Sequence, residues 1–177
     1  DDDLPASTFK DYELVVFDRQ RHPEFKPEVN GTLFLAYVSI GETYHDDPAL
    51  PGLKKSGAIL FHNQTWNSYA VDLKSARWRE QVMKQVGEAA AQGFHGVMLD
   101  TVDSPLSWAE NQSSEQVRLM QEAAISLIHS LRQRYPTLKI MLNRGFPILP
   151  AVADDINFAL AESILAEKDN SSGQFKL

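Results

Sequence analysis

An apolar run that stops at a carboxylate is a local design with chemical consequences, and this chain repeats it. Phe94-His-Gly-Val-Met-Leu-Asp100 ends on one acid, and Asp103 follows three residues later. Other runs stop at Asp18, at Glu42 (after Ser39 and Gly41), at Asn143-Arg144 and at Glu162. A carboxyl at the edge of a low-dielectric core can be made to hold a proton near neutrality. Two carboxyls on one rim can divide a hydrolysis between them. One gives a proton to the leaving oxygen while the other attacks or activates water, as in glycosidic-bond cleavage. Asp100 and Glu162, each coming directly after a buried run, are the candidates for that pair.

Their neighbours carry two readings each. Asp103, in Thr-Val-Asp-Ser-Pro, either braces its loop through an Asx-turn or bonds substrate. Glu42 either binds sugar hydroxyls or orders its turn, and Asp18 is a weaker version of the same case. Asn143 offers an amide. Arg144 offers a fixed cation that pairs with Asp100 or Glu162, or else forms a structural ion pair. Tyr44, Trp66 and Trp108 present rings on which sugar faces stack. Trp108, in the loop after Asp100, is the best placed of these, and Tyr37, inside a strand, reads as core. The five His lack ligand spacing, and there is no cysteine, phosphate loop or Gly-x-Ser-x-Gly elbow. No cofactor and no metal is expected on that basis, although Asp100, Asp103 and Glu162 could also serve as oxygen ligands for Mg²⁺.

Strands are expected at Tyr12–Phe17, Leu33–Ser39, Ala58–Phe61, Gly96–Leu99, Leu138–Leu142 and Ile156–Ala161. Trp78, Val82, Val86 and Ala90 repeat every four residues and predict a helix over Ser75–Gln92, stopped by Gly93. A second stripe predicts a helix from Ser113 to Tyr135, stopped by Pro136. A short Pro-flanked helix is expected at Ile148–Ala153. Continuous apolar strands alternating with amphipathic helices imply a parallel sheet covered on its faces. The strand ends then meet on one rim, where α/β barrels do chemistry. Residues 1–8 read as a tail and 167–177 as a loop.

At 177 residues the chain is one domain, with the 43% hydrophobic and 23% charged content of an ordinary globular protein. The net charge of −7 and scattered Lys and Arg argue against a nucleic-acid partner. No apolar run is long enough to span a bilayer, and the N-terminus lacks a signal-peptide pattern.

Four motifs in order, Tyr37-Val-Ser-Ile-Gly-Glu42, Gly93 to Asp103, Leu142-Asn-Arg-Gly145 and Ala161-Glu-Ser163, resemble those of glycoside hydrolase family 114, the endo-α-1,4-polygalactosaminidases. The resemblance implies a (β/α)8 barrel and metal-free cleavage of partly deacetylated N-acetylgalactosamine polymers in a secreted or periplasmic setting. It also implies an essential Asp on the fourth-strand motif and an essential Glu on the sixth. Those are Asp100 and Glu162 here, with Asp103 a rival for the first role. A polymer bearing free amines suits an acidic protein.

Such a barrel typically takes about 250 residues, and the five main strands here match the family's second to sixth. The expected fold is therefore α/β, of (β/α)8 TIM-barrel type but partial, with five to six parallel strands. Further domains or another chain would complete it, or it stays open. The expected function is a retaining endo-glycosidase acting on polysaccharide. The alternative is a non-catalytic polysaccharide-binding module on the same fold.

Overall fold

The structure, a computed structural model, describes residues 4, 6–24, 31–162, 167–168 and 174–176. A 3-10 turn at Ala6–Phe9 precedes β1 (Leu14–Asp18) and β2 (Leu33–Ser39). The chain then leaves the main sheet for β3 (Glu42–Tyr44), α1 (Leu50–Lys55), β4 (Ile59–Asn63) and β5 (Ser68–Val71). It returns through α2 (Ala76–Ala91) to β6 (Gly96–Asp100), and continues with α3 (Asp103–Glu110), α4 (Ser114–Arg134) and β7 (Lys139–Asn143). A 3-10 turn at Phe146–Ile148, α5 (Leu149–Val152) and β8 (Phe158–Leu160) follow.

Strands β1, β2, β6, β7 and β8 lie side by side in that order, all parallel. This is the expected partial α/β barrel architecture. Among the described residues the sheet does not close on itself, and β1 and β8 are its edges. Alternation along the strands separates two cores. Phe34, Ala36, Val38, Val97, Leu99, Ile140 and Leu142 face the helices. Leu35, Met98 and Met141 face the other way, with Leu14, Val16, Tyr37 and Phe158 packed against them. That second cluster is the inside of the barrel wall.

The two long helices form where periodicity places them. α2 is capped by Ser75, whose hydroxyl accepts from Trp78 N. Its buried stripe is Trp78, Val82, Val86 and Ala89, with Ala90 only partly buried. The Trp78 indole donates to Ile40 O at 2.7 Å, so the largest buried ring satisfies its own polar atom. α4, capped by Ser113, buries Met120, Ala124, Leu127, Ile128 and Leu131. Near its end the Arg132 guanidinium donates to Leu138 O at 2.8 Å, Asp155 O at 2.8 Å and Asn157 Oδ1 at 2.9 Å. One planar fork therefore ties the approach to β8 onto the start of β7.

Several expectations are corrected. β1 begins at Leu14, and Tyr12 is 61% exposed outside it. β8 is half-buried at Phe158 and exposed at Ala159 and Leu160, as the edge strand of the sheet among the described residues. Helix α3 occupies what reads as a loop in sequence: Pro105 falls in its first turn, where a proline's missing N–H has no intrahelical partner to lose. The three-stranded antiparallel sheet β3-β5-β4 was foreseen only at Ala58–Phe61, since β3 and β5 are short and carry polar residues. Within the 167–177 segment read as loop, Glu167–Lys168 and Phe175–Lys176 pair as two short antiparallel strands. The tail at 1–8 contains the start of the 3-10 turn, and the adjoining Phe9 ring meets Phe17 edge-on at 5.1 Å.

Candidate active site

The parallel register brings the polar strand ends to one rim. Ser39 pairs with Asp100 across β2 and β6, and Asn143 pairs with Leu160 across β7 and β8. Asp18, Tyr37, Asp100 and Asn143 share the parity of the interior cluster, so their side chains stand above it, on the inside of the rim. Asn143 Nδ2 donates to Asp100 Oδ1 at 2.8 Å and to Glu162 Oε2 at 2.7 Å. Those two carboxyl oxygens therefore lie within 5.5 Å, the most that bonds of 2.8 and 2.7 Å from one nitrogen permit. The Tyr37 hydroxyl donates to the other Asp100 oxygen at 2.7 Å. Burial, and then the Asp100 carboxylate, push the Tyr37 phenol well above its ordinary value, so it stays a donor.

Tyr37 packs on the inner core cluster, as its reading as core expects, but its hydroxyl also reaches the rim at Asp100. A signal was available. Tyr37 precedes the polar strand end Ser39 by two residues, and two residues is one side-chain repeat. It was masked because β2 is apolar on both faces. Glu162 also differs from expectation: it is exposed, not set in the edge of the core.

The turn after Asp100 is unusual. Thr101 has φ 65°, rare for a β-branched residue. Its hydroxyl donates to Asp100 O at 2.6 Å, accepts from Gly41 N at 2.9 Å and lies 2.8 Å from Ser39 Oγ. These bonds hold the end of β6 against the end of β2. Glu42 braces the same region from beneath. It is 6% exposed, and its carboxylate accepts from Asn63 Nδ2 at 3.0 Å, Ser104 Oγ at 2.5 Å and Ser68 Oγ. Asn63, Ser68, Thr101 and Ser104 were not singled out from sequence, because a hydroxyl or amide in a polar segment carries no periodic signal.

The remaining candidates scatter around this centre. Arg144 pairs with Asp103 at 3.4 Å rather than with Asp100 or Glu162, since φ of 57° at Arg144 and 62° at Gly145 turns the chain away from the sheet. Asp18 is exposed and accepts from Gln20 N at 2.7 Å and Arg21 N at 3.0 Å, an Asx-type turn. Tyr44, 50% exposed, lies beside Tyr37, and both line a cavity of about 550 Å³ together with Asp18 and Glu42. Trp108 sits on α3, half-buried against the helix-side core, not on a loop. Trp66 is 71% exposed between β4 and β5. Among the described residues no three His, Asp or Glu side chains gather to hold a metal ion, so the Mg²⁺ arrangement of Asp100, Asp103 and Glu162 is not found.

Asp103 opens α3 and is partly buried. Burial pushes its carboxyl above the ordinary range, an effect only partly offset by Arg144 and its own backbone N–H. The folded state therefore holds this proton more tightly than the unfolded chain does. The resulting stability is complete below the ordinary value of 3.8 and is lost as pH rises through the raised folded value. Asp103→Asn has no proton to lose. Thermal melts should show its melting temperature, relative to the parent, rising between acidic and neutral pH. A difference that stays constant over that range would contradict the buried-carboxyl account.

The sequence profile of glycoside-hydrolase family GH114 matches residues 4–175. The glycoside hydrolase domain of PelA from Pseudomonas aeruginosa superposes with a TM-score of 0.83 at 29% identity, over 99% of this chain and 70% of that one. Ega3 of Aspergillus fumigatus, in complex with galactosamine, gives 0.66 at 20% identity over 84% of this chain and 59% of that one, a likeness of fold. An uncharacterized protein of Methanocaldococcus jannaschii is 34% identical over 91 residues, which are 48% of this chain. The match spans 26% of that relative's length. With the motifs in order along an α/β rim and the profile covering nearly every residue, the chain belongs to glycoside-hydrolase family GH114.

Proposed function

We propose that this chain cleaves galactosamine-containing exopolysaccharide internally, at α-1,4 linkages, by a retaining double displacement. Asp100 is the nucleophile and Glu162 the general acid/base. The observation that carries the reading is the shared Asn143 amide, which keeps the nearest carboxyl oxygens within 5.5 Å. Retaining glycosidases hold their carboxyls about 5–5.5 Å apart, whereas inverting ones leave about 6.5–9.5 Å for a water. The roles follow from the surroundings. Both Asp100 oxygens are held by donors, which fixes the attacking group in place. Glu162 is exposed to solvent, where water can reach it, and accepts from Asn143 Nδ2 on one side.

In the first step an Asp100 oxygen bonds to the sugar C1 while the C1–O bond breaks and Glu162 protonates the departing oxygen. In the second, Glu162 takes a proton from water, whose oxygen attacks C1 and releases Asp100. Tyr44, Asp18, Asp103 and Arg144 flank this centre and supply contacts to neighbouring sugars. Glu42 and Trp108 act instead as braces. A net charge of −7 suits a polymer carrying amines. The setting is secreted or periplasmic, and further strands, from the same protein or another chain, complete the far wall.

Incubation with partly acetylated galactosamine oligomers tests this. New reducing ends should appear, with the α-anomer formed first by proton NMR. Binding without reducing ends would point to a polysaccharide-binding module, and a first-formed β-anomer to inversion.

A further inference from the structure

We infer that Asn143 is a positioning residue of this site: one amide nitrogen, bonded to Asp100 Oδ1 at 2.8 Å and to Glu162 Oε2 at 2.7 Å, sets the separation of the two carboxyl groups. The inference rests on the catalytic pair proposed above. It gives Asn143 a different task from the sugar contact that its place on the rim suggests. Asn143 is 2% exposed, and its nitrogen carries two hydrogens, one directed to each acid. No donor is left for a sugar hydroxyl.

The other end of the amide supports the same conclusion. Asn143 Oδ1 is buried without a hydrogen-bond partner, and it is the one such side-chain atom among the described residues. A buried acceptor left unpaired is costly and calls for a reason. Turning the amide over would set that oxygen against two carboxyl oxygens and lose both charge-assisted bonds. The acids therefore dictate the orientation, and the orphaned oxygen is its consequence.

The backbone explains why this residue can reach both. Asn143 ends β7, which lies between β6, ending in Asp100, and β8, leading to Glu162. Arg144 N donates to Leu160 O at 2.9 Å, pinning the end of β8 beside that of β7. The left-handed pair Arg144-Gly145 then removes the chain, leaving Asn143 as the last side chain on the inner face. Other charged or titratable groups face the pair from other elements. Tyr37 on β2 bonds Asp100 alone, Tyr44 on β3 lies beside Tyr37, and Asp103 on α3 pairs with Arg144. Glu42 bonds Asn63, Ser68 and Ser104. Only Asn143 is bonded to both acids among the described residues.

The test uses Asn143→Ala and Asn143→Asp in the intact protein, with polymer-cleavage kinetics across pH and melting temperature as the control for folding. Asn143→Ala should lower kcat by about 100-fold, with KM within about two-fold, because the reacting groups lose their alignment. Asn143→Asp, nearly isosteric but without the donor, should fall as far and move the whole pH–rate profile upward. A third carboxylate between the two opposes loss of their protons. A raised KM with an unmoved profile would make Asn143 a sugar ligand and overturn the inference. A crystal structure of Asn143→Ala reads the spacing without turnover. The Asp100 and Glu162 oxygens that shared the amide should lie farther apart than in the parent, and an unchanged separation would overturn the spacing role whether or not the parent cleaves polymer. Loss of the parent reading shows up separately, as full activity in Asp100→Asn.

Discussion

Asp100→Asn is expected to lower kcat/KM on galactosamine polymer by at least about 10⁴-fold while leaving the melting temperature within a few degrees. The amide is nearly isosteric with the carboxylate, and Tyr37 and Asn143 still hold it, but it cannot form the glycosyl ester. Glu162→Gln should cost about 10²–10⁴-fold, the usual contribution of a proton-transferring group. It should cost least on substrates whose leaving group departs without protonation. The same assay separates the two aspartates of the Asp100-Thr-Val-Asp103 segment. Asp103 begins α3 and faces Arg144, so Asp103→Asn should keep activity within about ten-fold of the parent. If Asp103→Asn were the inactive variant and Asp100→Asn the active one, the assignment would be reversed.

Gly41→Ala should be strongly damaging, destabilising by about 3 kcal/mol or more. A Cβ at this position would sit 2.0 Å from Thr101 O and 2.8 Å from Pro105 Cδ. The first of these is backbone and has no rotamer to give way. Thr101 is already held at φ 65° by its bonds to Asp100 O and Gly41 N, so moving it displaces the end of β6 and the Asp100 side chain with it. Urea denaturation should show a lower midpoint, and the residual folded protein should have reduced kcat. A variant with the parent's midpoint and full activity would mean that β2 and β6 do not meet as closely as the structure has them.

How far the site could be read in advance varied with the kind of signal. The main strands and the two long helices rest on periodicity and caps, and periodicity is a local property. Trp78, Val82 and Val86 had to face the sheet once α2 formed, and Ser75 and Ser113 sit where the N-caps belong. Where the signal was short the reading failed. β3 and β5 have three and four residues, too few to display a period. Trp108 reads as loop in sequence, since the eight residues of α3 are too few to display a clear stripe.

Asp100, Asn143 and Glu162 were visible as polar residues ending apolar runs, because an acid or amide rarely ends such a run without a partner or a task. Their residue types and their order along the chain are properties of the sequence, and so is the family to which they point. Which partner each takes is not. Arg144 could have paired with any of three carboxylates, and only the left-handed backbone at residues 144 and 145 sends it to Asp103. Tyr37 is part of the inner core, and only the register of β2 against β6 brings its hydroxyl to Asp100 as well. Asp100 and Glu162, 62 positions apart in sequence, are both bonded by one amide on the strand between them. Hydrophobic pattern specifies elements because burial is read along one strand or helix at a time. The distance between two side chains on different strands depends on the relative register of three strands, which only their packing together decides.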